Sequence, residues 1–342
     1  ILSWFFMLAT GLLLLELNIW LGAEVSLVSM AQATLGKFGT VISWGTFLFL
    51  FYSLMVAFIA GTGAMFADGV KLYTGIHWSD ELASIVCSII FSVVLYLGTS
   101  AIDKFNRILL LGLSISYISF VFNSVPYVHT EYLGHSSWTN MPFIFPIALI
   151  SFGFHQIVPS ITSYLHADIK KIKYAIVIGS FIPLLIYLIW DGIALGLLPL
   201  EGEGGFFAAL DKGESAARVL EQATANIYVS SSIRYLAFFA LTSTFLSVGM
   251  GFIDFLADGL KLPNSREARL FICALVLFPP LIIAISYPKV FLIALNYAGG
   301  FGTTLLFGIL PPLMVWVARY HKGSTSPRCL PGGRPMLILI LS

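Results

Sequence analysis

Nine stretches of the chain stay apolar for about 20 residues or more, and that recurrence constrains the fold more than any motif. They lie near 1–23, 41–67, 82–100, 106–126, 141–165, 174–199, 233–257, 268–286 and 289–318, with a partial tenth at 335–342. A helix of about 20 residues crosses the roughly 30 Å of hydrocarbon in a bilayer. Lipid offers no partner for backbone N–H and C=O groups, so each run must satisfy its own as a helix. The period-2 alternation of an outer-membrane barrel strand is absent. Of the 342 residues 58% are hydrophobic and 10% charged, against about 25% charged in a soluble domain. The expected fold is an all-α polytopic membrane protein, with 1–342 forming a single transmembrane domain.

Other classes fall away quickly. The net charge of +1 and the lack of a long basic run leave nothing for nucleic acid to bind. Cys87 and Cys273 lie in apolar spans and Cys329 in a basic segment, which makes neither a disulfide framework nor a metal site. The opening ILSWFFMLATGLLLLEL has no basic n-region and no small-residue cleavage site, so it is not a signal peptide. An intramembrane enzyme would need a nucleophile–base or metal pair, yet HExxH and GxSxG are absent and His155 and His166 are too far apart in sequence for one-face helical ligation. No cofactor is expected.

Lys/Arg asymmetry sets the orientation. With the first span running from outside to inside, the inner loops carry 13 Lys/Arg residues and the outer loops 5. The chain then begins outside, facing a span, so one further span is expected before Ile1; the run stopping at Ser342 points to truncation there too. FADGVKL (66–72) closes the second span and LADGLKL (256–262) the seventh, at opposite faces, the relation expected of an inverted repeat. In the long outer loop, after EGEGG, residues Ala216, Val219, Leu220, Ala223 and Ile227 fall at helical spacing on one face. This predicts a surface helix, either a lid or an ordinary packed loop helix.

Polar groups at membrane depth are costly and are functional candidates by default. Glu16 interrupts LLLLELNIW and His155 lies near the middle of the fifth span. Asp191 in YLIWDGIAL and Asp254 in GFIDFLADG can each also be read as reaching an interface. Tyr52 and Ser53 interrupt the second span; Thr242, Ser243, Thr244 and Ser247 cluster in the seventh. Hydroxyls in membrane helices often bond their own backbone or a neighbouring helix, so either role is open to each.

The fifth span carries the strongest local signal. Pro146 and Pro159 remove backbone donors, and Gly153 between them eases departure from helical geometry. A break at Ser151, Phe152, Gly153, Phe154 and His155 would expose backbone near mid-membrane, tolerated only where protein or a polar cavity surrounds it. Half-helix ends present free N–H groups and a positive dipole to a carboxylate, and unwound carbonyls accept from an ammonium group. With two phenylalanines flanking the break, this chemistry suits a zwitterionic amino acid. A kinked but continuous helix is the alternative.

The run SFGFHQIVPSITSYLHADIKKIKYAIVIGSFIPLLIYLIW resembles the bacterial hydroxy/aromatic amino acid permeases, and most closely the tyrosine-specific ones. LLLLEL, GTSAIDKFNR, GFIDFLADGL, FPPL followed by YPK, ALNYAGG and GGRP agree with that family in order and spacing across essentially the whole chain. The resemblance implies a five-plus-five inverted-repeat transporter fold with discontinuous helices, in which the first helix is missing here and the eleventh is truncated. SFGFH then falls on the unwound centre of the family's sixth helix.

The resemblance further implies import of an aromatic amino acid, tyrosine first and tryptophan or a broader neutral set as alternatives, by proton symport across the bacterial cytoplasmic membrane. A non-transporting sensor on the same fold is the remaining alternative. The expected substrate contacts are Ser151 to His155, with Tyr52, Thr242, Ser243 and Thr244 on neighbouring spans. Burial favours the neutral form of a carboxylate, which makes Glu16 the first proton-coupling candidate. His155, which titrates near neutrality when unperturbed, is the second.

Overall fold

The computed structural model describes residues 1–22, 25–134, 141–202, 205–213, 215–224, 226–261, 265–287 and 289–341. Helices dominate, and no strand occurs among the described residues. They run α1 (Leu2–Leu21), α2 (Leu27–Thr74), α3 (Asp80–Leu97), α4 (Thr99–Ser124), α5 (Met141–Ile150), α6 (Val158–Tyr164) and α7 (Ile169–Leu197), then two loop helices, α8 (Phe206–Lys212) and α9 (Ala216–Ala223). The remainder are α10 (Ile227–Leu260), α11 (Arg266–Ser286), α12 (Val290–Tyr297), α13 (Leu310–Tyr320) and α14 (Gly333–Leu341). Nine helical spans among the described residues are long and apolar enough to cross a membrane, as the sequence predicts. The chain is a polytopic membrane protein.

Three elements depart from the simple span pattern. α2 is 48 residues long and bends at Gly36, whose φ of +69° belongs to the left-handed region that favours glycine. The Lys322 ammonium donates to the Ala33 carbonyl (2.7 Å) just before that bend. The ninth span is α12 and α13 joined by a π-helical stretch, Ala298–Ile309, whose first turn holds Gly299, Gly300 and Gly302. The fifth span is two short helices, α5 and α6, with Ser151 to Phe154 between them out of helical geometry.

Two compact units divide the chain. The first comprises Ile1–Leu50, Ser137–Leu188 and Asn296–Ser342. Here α1 packs on α13 and α6, while α5 packs on the π-helical stretch. The Pro146 carbonyl stands so close to Gly299 that a side chain there would overlap it. Of the most apolar stretch of α1, 61% is buried, against 22% for α7, so α1 is a core helix and α7 presents most of its apolar surface outward.

The second unit comprises Phe51–Ser136 and Ile189–Leu295. Its main contact is α4 against α10, where the Phe239 ring lies 2.5 Å from where a Cβ on Gly112 would stand. Asn106 donates to Ser247 Oγ (3.0 Å) and accepts from Ser243 (3.2 Å), and Ser119 bonds Ser232 (2.7 Å), forming a polar seam. α9 forms as expected, capped by the Ser215 hydroxyl, and drives Val219 and Leu220 into a core with Phe120, Ile193, Val229 and Ile233. Ile227 does not join that face. It is 65% exposed, because Asn226 starts a new helix by accepting from the Tyr228 and Val229 amides. Within the sequence motifs, Glu203, Gly204, Glu214, Ala225, Leu262 and Pro288 lie outside the described residues.

Candidate functional site

The break in the fifth span follows from its residues. Pro146 has no amide to offer inside α5, and Pro159 sits in the first turn of α6, where a missing N–H costs nothing. Between them the backbone tightens: the amides of Phe152 and Gly153 donate to Leu149 O and Ile150 O (both 3.1 Å). His155–Ile157 forms one 3₁₀ turn leading into α6. The Ser151 carbonyl accepts from the Tyr187 hydroxyl (3.3 Å), and the Phe152 ring meets Tyr187 edge-on at 5.5 Å. Ser151 itself donates back to Ile147 O (2.8 Å).

His155 is completely buried. Its ring lies between Phe307 (4.8 Å, 9° between planes) and Phe154 (5.0 Å, 23°). Nε2 is 2.9 Å from Thr10 Oγ1 on α1, whose hydroxyl also reaches Phe6 O and Met7 O at 3.2 Å. Nδ1 has no partner among the described residues. If Thr10 donates to its own helix, Nε2–H donates to Thr10 and Nδ1 is left as a buried acceptor. Phe154 in turn occupies the space over Gly11, 2.6 Å from a Cβ built there. The phenyl–imidazole–phenyl stack therefore depends on a glycine in α1.

Glu16 is 3% exposed and is held by three donors. Arg319 of α13 forks onto it, Nε to Oε1 and Nη2 to Oε2, both at 2.6 Å, and the Cys329 amide donates to Oε2 at 2.9 Å. The Ser326 hydroxyl bonds the Glu16 carbonyl (3.2 Å), and the Arg334 guanidinium rests 4.5 Å over the Tyr320 ring. The segment after α13 is thus strapped across the end of α1. Burial there pushes the Cys329 thiol up to about 11. Arg319 counted in the sequence only as an inner-loop cation, and Thr10 and Phe307 carried no individual signal; the nearest hint was Gly11, a small residue beside a polar one.

In the second unit, Tyr52 donates to Leu275 O (3.2 Å) and stands edge-on to Phe252 (4.8 Å). The α10 hydroxyls divide. Ser243 and Ser247 are engaged by Asn106, and Thr244 bonds Ala240 O of its own helix (2.8 Å). Thr242 is 6% exposed, and its hydroxyl has no partner among the described residues. Asp191 and Asp254 are exposed, unlike Glu16 and His155.

The model of the tryptophan/tyrosine permease family matches residues 1–342. The chain belongs to that family. A tyrosine-specific transport system 2 of Haemophilus influenzae is 30% identical over 99% of this chain and 84% of its own length. A tryptophan-specific transport protein of Pseudomonas aeruginosa is 28% identical over 100% of this chain and 83% of its own. A tyrosine permease of Enterobacter agglomerans is 27% identical over 92% of this chain and 77% of its own. Family members are permeases rather than enzymes, and this one is a multi-pass protein of the bacterial inner membrane.

Proposed function

We propose that this permease imports an aromatic amino acid, tyrosine before tryptophan, by proton symport with alternating access on a five-plus-five repeat. The observation that carries the reading is the break at Ser151–Phe154, with His155 buried behind it on Thr10. The substrate's α-amino and carboxylate groups bind backbone at the break, and its ring packs against Phe152 or Phe154. Relatives named for tyrosine and for tryptophan transport support the aromatic class. Thr242 is the α10 hydroxyl assigned a substrate role, since Ser243 and Thr244 are otherwise engaged.

Proton coupling is assigned first to Glu16. Its carboxylate holds α13 to α1 through the Arg319 fork, so loss of its charge would loosen that contact. His155 is the second assignment, through Nδ1. Counterflow uptake of labelled tyrosine, tryptophan and serine by the intact protein, with and without an imposed pH gradient, tests the reading. Tyrosine exchange accelerated by an inward proton gradient is the expected result. Preference for serine, or indifference to the gradient, overturns it.

A further inference from the structure

The second unit contains a cavity of about 470 Å³ that the break and the Glu16 strap do not use. That volume falls within the roughly 300–1,000 Å³ of small-molecule sites. It lies at the outer ends of α2 and α10 as the Lys/Arg asymmetry orients them, with α9 and Phe291 completing the wall. Small residues hollow out the α2 side. A Cβ on Gly61 would stand 2.9 Å from the Phe291 ring, whereas Gly69 faces open space. Ala64, Met65, Phe238 and Leu241 make the floor apolar.

The lining also carries both signs of charge, in Asp68, Arg218, Glu221 and Arg234. Arg234 donates to Glu221 (Nε–Oε1 2.6 Å), and Arg218 grips Asp68 (2.8 and 2.9 Å) with Asp80 3.6 Å away. The Tyr73 and Tyr235 hydroxyls meet at 3.1 Å. A guanidinium has five N–H donors, of which Glu221, Ser230 and the Tyr73 hydroxyl engage only part at Arg234. Its remaining N–H groups can receive a carboxylate while Glu221 receives an ammonium, and the floor receives an apolar ring.

We infer that this cavity is a second, outer binding site for an aromatic amino acid, held by its zwitterion at Arg234 and Glu221. The inference rests on the proposed substrate class but not on the fifth-span site. Gly69→Cys in the intact protein, with Cys87, Cys273 and Cys329 replaced by alanine, places a thiol in the cavity. A membrane-impermeant maleimide should label it from outside, and tyrosine or tryptophan should protect it while lysine does not. Arg234→Gln should weaken half-protection roughly tenfold or more, the loss of a charge-assisted contact.

The same measurement with Gly153→Trp added, which removes the fifth-span site, separates the two readings. Protection that persists there supports an independent outer site. Protection that vanishes there assigns the effect to transport-linked closure and overturns it. Absence of labelling in surface-expressed protein, which means another segment or lipid fills the cavity, overturns it too, as does labelling without protection.

Discussion

Arg319 and Glu16, 303 positions apart, meet in a two-point fork with both N···O distances at 2.6 Å and both side chains less than 10% exposed. A buried ion pair is not a simple source of stability, because desolvation offsets much of the attraction. Removing one partner is different, since the other is left buried and unpaired. Arg319→Ala should therefore destabilise the protein by about 3–5 kcal/mol, read as a fall in detergent-solubilised thermal stability. Arg319→Gln with Glu16→Gln should recover most of that loss.

Glu16→Gln keeps the shape of the side chain and removes its charge, so some loss of stability should accompany it because the buried Arg319 guanidinium loses its counter-charge. Exchange of bound substrate should survive, while accumulation against a gradient should no longer respond to pH. Measuring both in proteoliposomes separates them; unchanged proton-driven accumulation would mean that another group carries the proton.

The aromatic stack predicts sensitivity at a glycine. Gly11→Val places methyl groups inside the Phe154 ring position and must displace that ring. Overpacking of this kind costs about 1–3 kcal/mol, and substrate affinity should fall with it. Thr10→Val leaves His155 Nε2 buried without its partner, at a cost of about 1–3 kcal/mol. Thermal shift and tyrosine binding on the same preparations check both.

The α10 hydroxyls should separate by role. Asn106→Leu breaks the seam to Ser243 and Ser247 and should cost about 1 kcal/mol of stability without altering tyrosine-over-tryptophan preference. Thr242→Val should leave stability nearly unchanged and shift substrate affinity. Binding competition between the two amino acids in each variant decides the assignment.

Cys329 reports on the strap. Its thiol is pushed up to about 11 by burial, with the nearby Glu16 charge adding to the shift. A raised thiol value means the folded state holds its proton longer than the unfolded chain, so this group destabilises the fold only as pH climbs from about 9 toward 11. Between pH 7 and 8 it should be nearly unreactive to maleimide in a Cys87→Ala, Cys273→Ala background. Arg319→Gln should speed labelling at fixed pH by freeing the strap, measurable by mass spectrometry.

The helix break was legible because its causes are local. Two prolines, a glycine and an apolar run of sufficient length all lie within some 20 residues, and each acts on backbone within a turn of itself. Ile227 shows the limit even at short range: helical spacing placed it with Val219 and Leu220, but the Asn226 cap restarts the helix and turns it outward. Among the α10 hydroxyls, composition marked a polar cluster without revealing that Asn106 engages two of its members.

The sequence by itself determined the all-helical membrane class, the number of spans, the site of the break and the family resemblance, since apolar length, proline and glycine act through nearest neighbours. Only the tertiary structure decided which buried polar groups have partners. Glu16 meets Arg319 and His155 meets Thr10 because helix packing sets those separations, and no periodicity in a single chain encodes a contact across 303 or 145 residues.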